Sequence, residues 1–314
     1  MEVQKLKVLV KTKDLSREEW LRYRTQGIGG SDVSIIAGIN PYKSIYQLWL
    51  EKTGQIEPKQ TESEFAHFGT LLEPIVRREF MERTGLKVRQ KFMILQSEEY
   101  PFMLADVDGI INENGKRVIF EAKTASAYKQ DIWEEGVPAG YILQVQHYMA
   151  VTEAKKAYVA SLVGGNHFYC HTVERDDEMI RKIITMESVF WKRNVLGGIE
   201  PVPDGSDATT EYFNQRFSKS NGYAIELPQE AILALNEYES IDAQLKTLET
   251  AKNAAANTLK SYLRDAEVGK VGDKKIIWKQ INKSIVDTKR LKLEKPEIYD
   301  SYLTTSSYRR LSIT

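Results

Sequence analysis

Asp108 stands in the run Leu104-Ala105-Asp106-Val107-Asp108-Gly109, and 12 residues separate it from Glu121 in Val118-Ile119-Phe120-Glu121-Ala122-Lys123. Strand side chains alternate between faces, so Glu121 and Lys123 point one way while Phe120 and Ala122 point the other. An acid and an amine side by side, facing a second acid at a strand end or turn, can hold Mg²⁺ and activate a water against a phosphodiester. The same residues also describe an ordinary hairpin with a solvated face, so the surrounding sequence has to decide.

Three further groups could serve such chemistry. Glu73 lies ahead of the strand acids on a segment of helical spacing, where two-metal sites draw an additional acid; its plain alternative is an i,i+4 pair with Arg77. Gln144 and Tyr148 are four apart and share one helix face, as a polar pair that follows E-x-K or as a simple amphipathic stripe. Arg24 and Ser31 flank the Gly-rich run Gly27-Ile28-Gly29-Gly30-Ser31-Asp32. Backbone N–H groups at the next helix start attract anions, and Arg offers a planar fork to phosphate oxygens. The pair could form a terminal-phosphate pocket or an ordinary capped connection. A dinucleotide fold is unfavoured there, because position 32 is Asp rather than Gly and helix rather than strand precedes it.

The remaining reactive residues read as structural. His67, His147, His167 and His171 read as structural rather than as ligands, and His67 on its helix is the one with metal potential. Cys170 is the single cysteine, which excludes a disulfide framework, a Cys-based zinc site and an iron–sulfur cluster within one chain. Its apolar neighbours predict a buried strand thiol. The formal charge is +0 with 28% charged residues and a mean hydropathy of −0.43, which predicts a soluble chain without a membrane span and disfavours a strongly basic DNA coater. Lysines interrupt the N-terminal apolar stretch, so no signal peptide is expected.

The elements that must position these residues follow from caps and periodicity. Ser16 with Glu19, and Ser44 with Gln47, are capping boxes opening helices to about Arg24 and Gly54. Helical spacing runs over 62–84, 126–136, 138–152 and 176–196; strands are predicted at 86–96, 101–111, 117–124, 155–163 and 167–174, with Asn112-Glu113-Asn114-Gly115 as a hairpin turn. Pro201-Val202-Pro203-Asp204-Gly205-Ser206 marks a boundary, giving units 1–200 and 201–314. In the second unit, 229–267 predicts a long helix or helical hairpin with a coiled-coil seam from Tyr238 to Ala266 in which Lys252 takes one apolar position. A short β element follows at 275–279.

The order of the pieces carries more than any one of them. W-x-x-x-R-x-x-G-I-G-G-S-D, F-G-x-x-x-E, D-V-D-G, E-A-K and Q-V-Q-x-Y follow one another over about residues 14–195. This resembles the YqaJ-type phage recombinases, relatives of phage lambda exonuclease in the PD-(D/E)xK superfamily. The resemblance implies an α/β core with a mixed sheet flanked by helices, and Mg²⁺-dependent degradation of linear double-stranded DNA from the 5′ end. It implies Asp108 and Glu121 as metal ligands with the Ala122 carbonyl, two Mg²⁺ ions with Mn²⁺ as substitute, Lys123 at the attacking water and Glu73 as a helix acid. It assigns Arg24, Ser31 and Gln144 to the 5′-phosphate, with Tyr148 in support. It further implies a ring-shaped homotrimer, a RecT- or Bet-type annealing partner and a cytoplasmic setting in a bacterial host, phage- or prophage-encoded.

One departure stands out. Lambda exonuclease has Ser-Pro-Asp-Gly where this chain has Asp106-Val107-Asp108-Gly109, so an acid replaces a serine of the phosphate pocket. Asp106 either alters end selectivity or serves as a further metal ligand. The competing readings are a restriction-type endonuclease with the same metal core and a non-catalytic recombination adaptor; intact Asp108, Glu121 and Lys123 argue against the latter. No G-x-x-x-x-G-K-[ST] motif is present, which argues against a helicase within the chain.

Overall fold

Residues 6–58 and 64–313 are described by the structure, a computed structural model. The start of the predicted 62–84 helix lies outside the described residues. The chain divides into two compact units, 1–217 and 218–314.

The first unit runs β1 (Val8–Lys11), α1 (Arg17–Arg24), β2 (Ile28–Gly29), α2 (Gly30–Ile36), α3 (Ile45–Lys52), α4 (Glu64–Thr84), β3 (Val88–Arg89), β4 (Met93–Gln96), β5 (Met103–Ala105), β6 (Gly109–Glu113), β7 (Lys116–Ala125), α5 (Gln130–Glu135), α6 (Ala139–Thr152), β8 (Lys156–Val163), β9 (His167–Glu174), α7 (Asp177–Val189) and α8 (Asp207–Arg216). Both predicted capping boxes form, at Ser16/Glu19 and Ser44/Gln47. The 112–115 turn places Asn114 and Gly115 at φ +52° and +79°, the left-handed pair that a tight hairpin requires.

Two mixed sheets result. One is ordered β1-β4-β5-β2, with β2 and β5 parallel; the other is β3-β6-β7-β8-β9, with β7 and β8 parallel. The α/β class with mixed sheets flanked by helices is as expected. Two predicted strands are each broken in two. The 86–96 run splits into β3 and β4, and 101–111 into β5 and β6, because the chain changes sheet within each. The second crossing is made by Asp106-Val107-Asp108, with Val107 buried as its anchor. Alternation along β7 sorts its two faces. Val118 and Phe120 pack with Val76 and Phe80 of α4, whereas Ile119 joins the core shared with Val145 and Met149 of α6.

Cys170 corrects the sequence reading: it is exposed, because β9 is an edge strand and its side-chain face is only partly covered. The π-helical stretch Phe190–Leu196 continues α7 up to the turn at Gly197. The expected boundary at 201–206 lies inside the first unit. Ala208 and Thr209 of α8 are buried, and Tyr212 and Phe213 meet Tyr46 at ring-centroid distances of 5.6 and 5.4 Å. The second unit holds α9 (Ala231–Leu263), an antiparallel hairpin of β10 (Val268–Val271) and β11 (Lys274–Ile277), then α10 (Thr288–Glu294) and α11 (Pro296–Ser301). Residues 231–263 form one continuous helix rather than a hairpin.

A fragment of residues 1–217 should therefore melt as one cooperative transition. Cutting at 200 removes the aromatic cover from Tyr46 and should lower its melting temperature by several degrees, on the order of 1–3 kcal/mol for lost burial. Circular dichroism melts of the two fragments check this; equal melting temperatures would show that α8 is dispensable.

Candidate active site

The β5–β6 crossing and β7 bring the acids together. Asp108 directly precedes β6, whose Gly109 pairs with Phe120 of β7, and its Oδ2 accepts the Ala122 N–H at 2.8 Å. A Cβ on Gly109 would lie 2.3 Å from Val88 Cγ1, so only glycine allows this close start to β6. Glu121 is 2% exposed. Its Oε1 accepts from Lys123 Nζ and from Gln144 Nε2, both at 2.7 Å, while its Oε2 is buried without a hydrogen-bond partner. Gln144 closes the cluster, accepting from Lys123 Nζ at 3.1 Å and donating to Tyr148 Oη at 3.1 Å. Lys123 Nζ also lies 4.6 Å from the Tyr141 ring centroid.

These contacts set the protonation states. Burial, and then the charge of Asp108, pushes Glu121 up to about 8 against the pull of Lys123. Burial also raises Asp108, although Lys123 and the Ala122 N–H counteract it. Lys123 is raised: burial opposes its charge, but Glu121 and Asp108 outweigh it and keep it an ammonium. Two neighbouring carboxyl groups with a spare, buried, unpartnered oxygen fit a cation, and Mg²⁺ commonly takes only one or two carboxylates beside its waters. Among the described residues no three His, Cys, Asp or Glu side chains gather as a metal-binding group. Glu73 lines the same cavity but pairs with Arg77 Nη1 at 2.7 Å; burial and Asp108 raise its pKa.

The cavity, about 290 Å³, joins the acids to the Gly-rich turn: Glu73, Asp106, Asp108, Glu121, Gln144 and Tyr148 line it together with Arg24 and Ser31. Arg24 Nη2 donates to Ser31 Oγ at 2.8 Å and lies 3.3 Å from Asp32 Oδ1. Asp32 also pairs with Lys52 at 2.8 Å and accepts the Gly29 N–H at 2.9 Å. Burial opposes the Asp32 charge, yet Lys52 and Arg24 hold it well below the usual carboxylate range. Gly29 N–H is thus satisfied by the protein itself. The glycines serve close packing: a Cβ on Gly29 would meet Arg24 Nη2 at 2.7 Å, and one on Gly30 would meet Tyr148 Cε1 at 2.5 Å.

Sequence reasoning grouped Gln144 with the phosphate residues, whereas the structure binds it to Glu121 and Lys123. It gave no role to Trp20, Asp32, Lys52 or Tyr141. Trp20 Nε1 donates to Asp106 Oδ2 at 2.8 Å, with the Arg17 guanidinium 4.0 Å from its ring centroid. Its signal was present in W-x-x-x-R, one turn before Arg24. His147 is structural: buried, it lies 2.7 Å from Glu187 Oε1 and 2.8 Å from the Leu104 carbonyl, tying α6 and α7 to the end of β5. His67 stacks edge-on against Phe68.

Over its full length the chain is 43% identical to the YqaJ protein of Bacillus subtilis (strain 168), covering 99% of that relative, and residues 19–155 match the YqaJ-like viral recombinase domain. The chain belongs to the YqaJ-like viral recombinase family. A protein of Acanthamoeba polyphaga mimivirus is 28% identical over 148 residues, 43% of this chain and 27% of that one. The alkaline exonuclease LHK-Exo of Laribacter hongkongensis resembles it at a TM-score of 0.49 and 23% identity, over 58% of this chain and 94% of that one. The matched family domain holds the site residues from Trp20 to Tyr148, and of the contacts named above Arg17 and Glu187 lie beyond it.

Two outcomes test the geometry. A raised Glu121 favours folding while protonated, so its contribution is full below its unfolded value and is lost as pH rises through about 8. Glu121→Gln keeps an Oε1 acceptor for Lys123 and Gln144 but carries no charge. In chelator-treated protein its melting temperature should gain on the wild type between about pH 6 and about pH 9, by several degrees. A gap that does not change with pH would contradict the assignment. Gly30→Ala should push the Tyr148 ring away and destabilise by about 1–3 kcal/mol, with part recovered on adding Tyr148→Ala; thermal melts of both variants read this.

Proposed function

We propose that this chain is a DNA nuclease that degrades one strand of linear double-stranded DNA from the 5′ end and exposes a 3′ single strand for recombination. The observation that carries the reading is the buried Glu121 carboxylate, with one unpartnered oxygen, beside Asp108 and Lys123 in a cavity that also reaches Arg24 and Ser31. Asp108, Glu121 and the Ala122 carbonyl would hold the divalent cation, Mg²⁺ with Mn²⁺ as substitute. Bound there, the cation supplies charge neutralisation at the scissile phosphate and a lowered pKa for the attacking water.

The chain's own groups do the rest. Burial and the charge of Asp108 raise Glu121, so its carboxyl would have to release a proton to serve as a ligand to the cation. Lys123 keeps its ammonium beside Glu121 and orients the attacking water. Gln144 fixes both heads by accepting from Lys123 and donating to Glu121. Arg24 and Ser31 would donate to a terminal 5′-phosphate at the far side of the cavity. Trp20 holds Asp106 by one oxygen, so Asp106 is a positioned acid at the edge of that pocket and modulates end selectivity. Glu73, in its pair with Arg77, supports the site by its charge. The 5′→3′ polarity, a ring-shaped trimer around the duplex, a RecT- or Bet-type annealing partner and a bacterial cytoplasmic setting rest on the likeness to lambda-type exonucleases. Among the described residues no helix is long and apolar enough to cross a membrane.

With Mg²⁺, linear duplex should be digested and covalently closed circles left intact; cutting of closed circles would favour a restriction-type endonuclease. Asp108→Ala, Glu121→Ala and Lys123→Ala should each reduce digestion by at least about a thousandfold, on the scale of lost transition-state stabilisation. Lys123→Ala should still bind the cation. Arg24→Ala should lower the rate most on 5′-phosphorylated ends. Digestion by Lys123→Ala at the wild-type rate would overturn the assignment.

A further inference from the structure

Among the described residues, α9 carries a long uncovered apolar face. Tyr238, Ile241, Leu245, Leu248, Leu259 and Tyr262 recur in steps of three and four, with Lys252 and Ala255 completing the pattern, and all are exposed: Leu248 is 65% and Tyr262 80% accessible. Of the α9 residues only Leu263 is buried, near Gly269 of β10. The helix has 33 residues, about 50 Å at 1.5 Å per residue. A stripe of that length, repeating every seven residues, is the seam of a coiled coil and wants a partner helix of equal length.

We propose that this face pairs with the same face of a second copy of the chain, antiparallel, about a two-fold axis near Thr250. Charge selects both partner and direction. In heptad terms Tyr238, Leu245, Lys252 and Leu259 take one core position and Ile241, Leu248, Ala255 and Tyr262 the other. A parallel pair would set Lys252 against Lys252 inside the seam and Glu237 beside Asp242 along its flanks, all like charges. Antiparallel pairing about Thr250 sets Lys252 opposite Leu248 of the other copy and next to its Glu249. It also lays the acidic half, with Glu237, Glu239, Asp242 and Glu249 against the lone Lys246, on the basic half, with Lys252, Lys260 and Arg264. Tyr238 then faces Tyr262, Ile241 faces Leu259 and Leu245 faces Ala255. A self-complementary patch of this kind is what a two-fold interface requires. The pairing links two nuclease units, or two rings of them.

The test uses the full chain in a Cys170→Ser background and needs no DNA, so it succeeds or fails apart from the proposed activity. Mild oxidation of Tyr238→Cys/Tyr262→Cys should give a two-chain species on non-reducing gels, while Tyr238→Cys and Tyr262→Cys alone should give none. Cross-linking of a single variant would mean a parallel pair, and no two-chain species from the double variant would mean that α9 packs on its own chain or on another partner; either result overturns the proposal. Analytical ultracentrifugation should show the solution mass halved by Leu245→Glu/Leu248→Glu, and an unchanged mass overturns it equally.

Discussion

Everything at the site depends on one buried carboxylate. Glu121 sits on β7, in the middle of the five-stranded sheet, where water cannot solvate it, and its Oε1 is held by Lys123 and Gln144. Those partners come from different levels of the fold. Lys123 follows from the alternation of the same strand, whereas Gln144 requires α6 to cross that face at the right height. The His147 contacts to Glu187 and the Leu104 carbonyl fix that height, so a buried ion-pair-like link one residue away from Tyr148 serves the chemistry without entering the cavity.

The second constraint is close approach. The Gly-rich turn is stitched to the site by contacts that leave no room for a side chain, Gly29 against Arg24 and Gly30 against Tyr148. Asp32, Lys52 and Arg24 form a buried charge network beneath the turn, in which each charge has a partner and the removal of one would strand the others. Arg24 is thereby preorganised at the mouth of the cavity, one face on Asp32 and Ser31, with its guanidinium 5.1 Å from the Trp20 ring centroid. The cavity is thus lined by acids together with one held guanidinium.

Much of this is legible in the sequence wherever a rule is local. The capping boxes at Ser16 and Ser44, the Asn114-Gly115 turn and the face alternation of Glu121 and Lys123 are set by residues a few positions apart. What stays hidden depends on partners far along the chain. The two-residue β2 is invisible because only its pairing with Met103–Leu104 makes it a strand. The breaks at 90–92 and 106–108 exist because the chain passes between sheets, and the second of them is where the acids stand. Cys170 looked buried by composition but lies on an edge strand. The unit boundary moved to 217/218 because α8, though it follows a Pro-rich linker, buries Ala208 and Thr209. The Trp20–Asp106 contact spans 86 positions, and no local pattern announces it.

The central claim is that Glu121 is a protonated, buried acid poised to yield its proton to a bound cation. Isothermal titration of the chelator-treated protein with Mg²⁺ near pH 7, repeated in two buffers of different ionisation enthalpy, measures this directly. The account predicts a buffer-dependent heat, close to one proton released per bound site, that fades above about pH 9 and is absent in Glu121→Gln, which should also bind Mg²⁺ at least about tenfold more weakly. Binding of equal strength in Glu121→Gln, or a heat that does not depend on the buffer in the wild type, would contradict it.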